Sequence, residues 1–211
     1  MTKIICFDVD GTLVPGNAWL YLSAHLGVDI DEHKALYKKV VDGVLPMTKA
    51  EPQLRNKYIK SGNATEKNIE KILKSIRPLP FAEELFKILR QRGYALYLVS
   101  GALDVFVESI GKKLGADGYY ASSSLLYNKK GVLSQIISPI EQSELKVKTL
   151  EYLAKENNIP VTDIIFVGDS DNDIGAFTIT GRGIAVGETP FELEARAWKK
   201  ISSLEELPSF V

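Results

Sequence analysis

Short unbroken apolar runs alternate along the chain with longer stretches in which apolar residues return every three or four positions. Ile4-Ile5-Cys6-Phe7 is the first run, and it stops at an acidic, glycine-containing turn. A run without polar alternation suits a strand buried on both faces of a parallel sheet. Tyr94 to Val99 leads in the same way into Ser100-Gly101, Ile164 to Val167 into Gly168-Asp169, and Gly183 to Val186 into Gly187. Between these runs the periodicity predicts amphipathic helices. Phe81 to Arg92 places Leu85, Ile88 and Leu89 on one face and meets Gly93 as a C-cap. Leu103 to Leu114 stops at Gly115, and Glu144 to Asn157 carries Leu145, Leu150 and Leu153. Strands alternating with helices predict an α/β fold with a doubly wound parallel sheet.

Residues 14 to 80 break this rhythm. Their periodicity predicts helices over Trp19 to Leu26, Glu32 to Val41, Lys49 to Ser61 and Thr65 to Ile76, with no convincing strand. Pro15-Gly16 and Pro78-Leu79-Pro80 mark the edges. The expected organisation is a small helical cap, 14–80, inserted after the first strand of a core built from 1–13 and 81–211. From Ser123 to Ile137, two short apolar runs flank Asn128-Lys-Lys-Gly131 and predict a β-hairpin. Lys129 and Lys130 are then a solvated turn.

Ligands of open parallel sheets bind outside the carboxyl ends of the strands. The first expected strand ends at Asp8 and Asp10, the second at Ser100 and Gly101, the third at Asp169, Asp171 and Asp173. Carboxylates converging there repel one another, and a hard divalent cation relieves the repulsion. All-oxygen donors from scattered loops suit magnesium better than calcium or zinc. The single cysteine, Cys6, excludes a cysteine metal site or an intrachain disulfide and reads as a buried strand thiol. Magnesium held by few carboxylates takes substrate phosphate oxygens. Ser100 offers a hydroxyl, Gly101 an approachable N–H, a helix starting near Ala102 its N-terminus, and Lys146 a fixed positive charge. Asp8 is placed to attack phosphorus. Asp10 is placed to protonate the departing oxygen and then deprotonate the attacking water.

Net charge of −1 gives no basic field for nucleic acid or an anionic membrane. No apolar run approaches the ~18 residues of a membrane span, and four apolar residues after Lys3 are too few for a signal-peptide core. The expectation is a soluble cytoplasmic protein whose partner is a small-molecule phosphomonoester, with the oligomeric state open. His25 and His33 lack neighbouring metal ligands and read as surface or packing residues. Arg182 reads as structural, and Trp19 and Tyr21 as packing within the cap.

Asp8-Val-Asp10-Gly-Thr12-Leu13, then Ser100-Gly101, then Lys146, then Gly168-Asp169-Ser-Asp-Asn172-Asp173 resemble, in order, the four motifs of the haloacid dehalogenase superfamily. The resemblance covers the full chain. It implies Asp8 as nucleophile, Asp10 as acid and base, Thr12 and Ser100 as phosphate contacts, and Lys146 as the charge that neutralises a phosphoryl-aspartate. Lys148 is the alternative to Lys146. The resemblance further implies magnesium held by Asp8, Asp169 and the Asp10 carbonyl, with Asp173 as a ligand or a support behind the ligands, and Asn172 on the substrate side. The insertion is similar to the family's C1-type cap. Within the superfamily the chain looks most like the phosphoserine phosphatases, through Gly93 to Asp104, the hairpin, and Leu54-Arg55 at the place of an arginine that binds the substrate carboxylate. One position departs. Asn17 stands nine residues after Asp8, where those enzymes place a glutamate against the substrate amine. An amide supplies no negative charge for an ammonium, and Asn17 is also a natural helix N-cap. A different small phosphomonoester is therefore at least as strong a candidate for the substrate as phosphoserine. Phosphoryl transfer to another acceptor is the alternative activity. A noncatalytic phospho-receiver accounts for neither Asp10 nor the cap.

Overall fold

The computed structural model describes residues 3–139 and 141–211. Strand β1 (Lys3–Phe7) sends alternate side chains to opposite faces of the sheet. Ile5 and Phe7 join one buried apolar cluster, Ile4 and Cys6 the other. Neither face meets water, which is why this segment shows no polar alternation. Strands β2 (Tyr94–Leu103), β3 (Gly118–Tyr127), β4 (Leu133–Ile137), β5 (Ile164–Gly168), β6 (Gly183–Val186) and β7 (Lys199–Ile201) complete the sheet in the order β4-β3-β2-β1-β5-β6-β7. All neighbours pair parallel except β3 with β4. Helices α5 (Ala82–Gln91) and α6 (Asp104–Leu114) bury Leu85, Leu89, Phe106 and Ile110 on one face. On the other, α7 (Gln142–Glu156) and α8 (Ile174–Thr180) bury Leu150, Leu153 and Phe177, and a short α9 (Phe191–Glu194) adds Leu193. The doubly wound α/β architecture is the expected one. Because β1 pairs with β2 on one side and β5 on the other, the direction of winding reverses beside it, and a crevice opens at its carboxyl end.

Three core features differ from the sequence expectation. Strand β2 continues through Ser100-Gly101-Ala102-Leu103, all buried, so α6 begins at Asp104 rather than near Ala102. The helix N-terminus expected at the anion site is displaced accordingly. Strand β3 begins at Gly118 and pairs parallel with β2 before turning into the hairpin with β4. Its first residues alternate between half-buried and exposed, so no apolar run announces them. Edge strand β7 reads Lys-Lys-Ile and carries no strand signal either.

Between β1 and α5 lie α1 (Ala18–His25), α2 (Ile30–Val41), α3 (Met47–Lys60) and α4 (Glu66–Ser75). Asn17 caps α1 by accepting from the N–H groups of Trp19 and Leu20, Asp29 caps α2, and Thr65 caps α4. Ser23 Oγ lies 2.6 Å from His33 Nδ1 and 2.8 Å from Tyr58 Oη, a buried polar trio that ties α1, α2 and α3 together. His33 is thus a packing residue, while His25 stacks on Tyr21 at 4.1 Å. The insertion is sewn to the hairpin. Leu133 N–H donates to Ala64, Glu66 N–H to Gly131, and the Arg55 guanidinium to the Ser134 carbonyl at 3.0 Å. The hairpin turn is held by Asn128 Oδ1, which accepts from the N–H groups of Lys130 and Val132. Arg182 sits over the Trp198 ring. Among the described residues no helix is long and apolar enough to cross a membrane.

Candidate active site

Asp8 leaves β1 at the crevice, anchored by its N–H donating to the Val167 carbonyl at 2.9 Å. Three residues later the backbone turns sharply at Gly11, whose φ is +76°. A Cβ there would lie 2.2 Å from Asp169 Oδ2, so only glycine lets the first loop close on the loop after β5. Thr12 is fully buried and donates its hydroxyl to Asp169 Oδ1 at 2.7 Å. The hydroxyl read from the sequence as a phosphate contact is spent here on orienting a carboxylate.

Oxygens of Asp8, Asp169 and Asp173 lie within 4.8 Å of one another. Asp171, counted with them in the sequence, is exposed in the turn between its neighbours. Lys146, one turn into α7, places Nζ 2.5 Å from Asp173 Oδ1, 2.6 Å from Asn172 Oδ1 and 3.1 Å from Asp8 Oδ2. Burial alone would lower the lysine pKa, but the charges of Asp173 and Asp8 overcome it and hold the ammonium above its ordinary range. Lys148 faces solvent and pairs with Glu144. Asp173 Oδ2 accepts from the N–H groups of Asp169 and Ser170, so both its oxygens are occupied. Asp8 Oδ1, by contrast, is buried without a hydrogen-bond partner.

Asp10 stands apart from that carboxylate group. Its Oδ1 accepts from Ala18 N–H at 3.0 Å. Burial, joined by the Asp8 charge, pushes its carboxyl up to about 8. Burial likewise pushes Asp169 up to about 6. An unpartnered buried oxygen and carboxylates this strained toward protonation form a donor set that a hard divalent cation fits. Asp8 and Asp169 have oxygens to give it, whereas Asp173 fixes Lys146.

Ser100 and Gly101 lie opposite on β2. Ser100 Oγ accepts from Ala102 N–H at 3.3 Å, and a Cβ on Gly101 would fall 2.3 Å from Gln142 Oε1. Gln142 also accepts from Asn172 Nδ2 at 3.3 Å. This glutamine was missed in the sequence, although it lies one helical turn before Lys146 on the same face of α7. A cavity of about 510 Å³ spans the site, with Asp8, Asp10, Asp169, Ser100, Gly101 and Asn172 on its floor. Helices α1 to α3 supply much of the wall, including Asn17, Trp19, Leu36, Leu54 and Glu51. Glu51 was also missed; it accepts from Ser138 N–H at 2.9 Å, and no sequence pattern distinguishes it from a surface carboxylate. Arg55 lies outside the wall, its guanidinium directed to Ser134 and Asn56.

Comparison with known proteins agrees with this arrangement. The chain is 34% identical over 189 residues to a phosphoserine phosphatase of Methanocaldococcus jannaschii, covering 89% of this chain and 87% of that one. It is 30% identical to a phosphoserine phosphatase of Archaeoglobus fulgidus, but spans 52% of that protein. A solved structure described as a phospho-aspartyl intermediate analogue of phosphoserine phosphatase superposes with a TM-score of 0.80 at 31% identity, over 100% of this chain and 99% of that one. The model of haloacid dehalogenase-like hydrolases matches residues 2–178, which contain every residue on the cavity floor, and the chain belongs to that family.

Proposed function

We propose that this chain hydrolyses small phosphomonoesters through an aspartyl-phosphate on Asp8, with magnesium as cofactor. The observation that carries the reading is the unpartnered Asp8 Oδ1, buried beside a lysine that holds the other oxygen of the same carboxylate. Names of the relatives support the activity class. In the proposed organisation 1–13 and 81–211 form the catalytic core, and 14–80 form the cap.

Asp8 Oδ1 attacks phosphorus, and the bond from phosphorus to the leaving alcohol oxygen breaks. Lys146, fixed by Asp173 and Asn172, keeps the Asp8 carboxylate oriented and offsets charge on the phosphoryl-aspartate. Ser100 Oγ and the Gly101 N–H are the donors for phosphoryl oxygens. Asp10, whose burial disfavours the charged carboxylate, is the group that gives a proton to the leaving oxygen. It then takes a proton from water, which attacks phosphorus, releasing phosphate and restoring Asp8. Asp8, Asp169 and the Asp10 carbonyl would hold magnesium, which would supply charge neutralisation for the phosphoryl oxygens.

The test is phosphate release from a panel of phosphomonoesters with magnesium, together with transient labelling of the protein by a radiolabelled substrate. Asp8→Asn abolishes both if the reading holds. Undiminished turnover in that variant, or with the metal chelated, overturns it. Products analysed with an alcohol acceptor present separate hydrolysis from transfer.

A further inference from the structure

The cavity above Asp8 has two unlike halves. Its floor is the polar set already described. Its wall carries Trp19, Leu20, Leu36, Val40, Met47 and Leu54. At about 510 Å³ it falls within the range of cavities that enclose whole small molecules, so a phosphoryl group on the floor leaves the wall to the organic part.

The groups that would recognise an amino acid are committed elsewhere. Asn17 lines the cavity, but its amide oxygen accepts from Trp19 N–H at 3.0 Å and Leu20 N–H at 3.2 Å. It carries no charge to pair with an ammonium. Arg55 bonds the Ser134 carbonyl and Asn56 through its two terminal nitrogens and does not line the cavity, although its Nε is buried without a partner. Nδ1 of His33 is taken by Ser23. Two charged side chains remain. Glu51 holds the Ser138 N–H, and Lys34 is exposed at the rim. A zwitterion drawn against this wall would find only Glu51, one oxygen of which already holds the Ser138 N–H, for its ammonium and only the exposed Lys34 for its carboxylate, whereas an apolar group gains by leaving water.

We infer that the leaving group of the substrate is an uncharged, largely apolar alcohol rather than an amino acid, and that Trp19, Leu36 and Leu54 set this preference. The inference rests on the phosphatase reading above and adds the substrate class to it.

The experiment measures kcat/KM of the full chain with magnesium for hexyl phosphate, 1-naphthyl phosphate, glycerol phosphate and phosphoserine. Hexyl phosphate is the decisive comparison, because its leaving oxygen is an ordinary alkanol oxygen like that of serine. The expected result is a preference for hexyl phosphate over phosphoserine of about 10- to 200-fold, the range that apolar pocket contacts command. The naphthyl ester then tells whether the wall favours an aromatic or an aliphatic group. Leu36→Asn lowers the ratio of hexyl to glycerol phosphate turnover. Phosphoserine turned over as well as hexyl phosphate or better overturns this inference while the phosphatase reading stands, and selective loss of that turnover in Glu51→Gln would identify the ammonium receptor. No turnover of any ester, with no labelling of Asp8, overturns both.

Discussion

The floor and the wall of the cavity are built on opposite principles. On the floor, charged groups are locked by one another and by backbone N–H groups. Lys146 is gripped by three side-chain oxygens, Asp173 accepts on both oxygens, and Asp169 takes the Thr12 hydroxyl. The wall comes mostly from helices outside the sheet and offers apolar surface whose few polar groups cap helices or bond the hairpin. Preorganised charge on a rigid sheet edge suits a reaction step common to many esters. A wall carried by an insertion can change its side chains without disturbing that machinery. The difference assigns chemistry to the floor and selection to the wall, and it can be broken by variants on either side.

The largest effect is expected on the floor. Asp8→Asn removes the nucleophile and should lower kcat by about four orders of magnitude or more, as loss of a covalent nucleophile does elsewhere. Trp19→Ala on the wall should cost about tenfold in kcat/KM, carried mainly by KM. Steady-state kinetics of the two variants checks the contrast. A Trp19 variant that loses kcat as severely as the Asp8 variant would erase the division.

Next is Lys146→Met. It leaves Asp8 and Asp173 buried without their counter-charge, and breaking a buried pair in this way costs about 3–5 kcal/mol of folding stability. Lys148→Met, two residues on but in solvent, should leave the urea midpoint unchanged. Denaturant unfolding of both variants measures the gap. Equal stabilities would show that the buried lysine is not the keystone of the carboxylate group.

Metal binding ranks third. A cation that binds the folded floor at a hundred times its dissociation constant stabilises by about 2.7 kcal/mol. Magnesium should therefore raise the thermal midpoint of the native chain, and Asp169→Asn should remove most of that rise. The Trp19→Ala wall variant should respond to magnesium as the native chain does.

Much of the floor was legible in the sequence because chemistry concentrates at strand ends, and buried parallel strands announce themselves as unbroken apolar runs. Asp8, Asp10, Ser100, Lys146, Asn172, Asp169 and Asp173 all stand at the crevice in the structure. The wall was harder to read. Asn17 caps its helix, as its position before α1 suggested, while Arg55, picked out by position as a substrate contact, turns to the hairpin. Which way a side chain on an amphipathic helix points is settled by tertiary packing, and a single chain records only periodicity. Glu51 and Gln142 carry no motif. They matter because α3 lies against β4 and because α7 faces Gly101, both long-range consequences of the fold. The start of β3 was missed because its residues alternate only between half-buried and exposed and offer no apolar run, and the end of β2 because Ser100-Gly101 interrupts the apolar run while the buried strand continues.

The smallest expected effect lies behind the wall, in the trio of Ser23, His33 and Tyr58. Tyr58→Phe removes one of two bonds to Ser23 Oγ and should cost about 1 kcal/mol with little change in kcat. His33 titrates in the same place. Burial lowers its pKa, so the folded state resists protonation at a pH where the unfolded chain, with an imidazole pKa of about 6.5, already accepts it. Between those two values the unfolded state binds more protons, and stability falls as pH falls. The decline should begin near the unfolded value and end once pH passes below the folded one. Carboxylates of the floor titrate too, so the measurement is the difference between the native chain and His33→Gln across that window, by urea unfolding at each pH. The difference should shrink as pH drops, because the variant lacks the buried imidazole that must charge. A constant difference would mean that His33 reaches solvent freely and that the wall is looser than its packing implies.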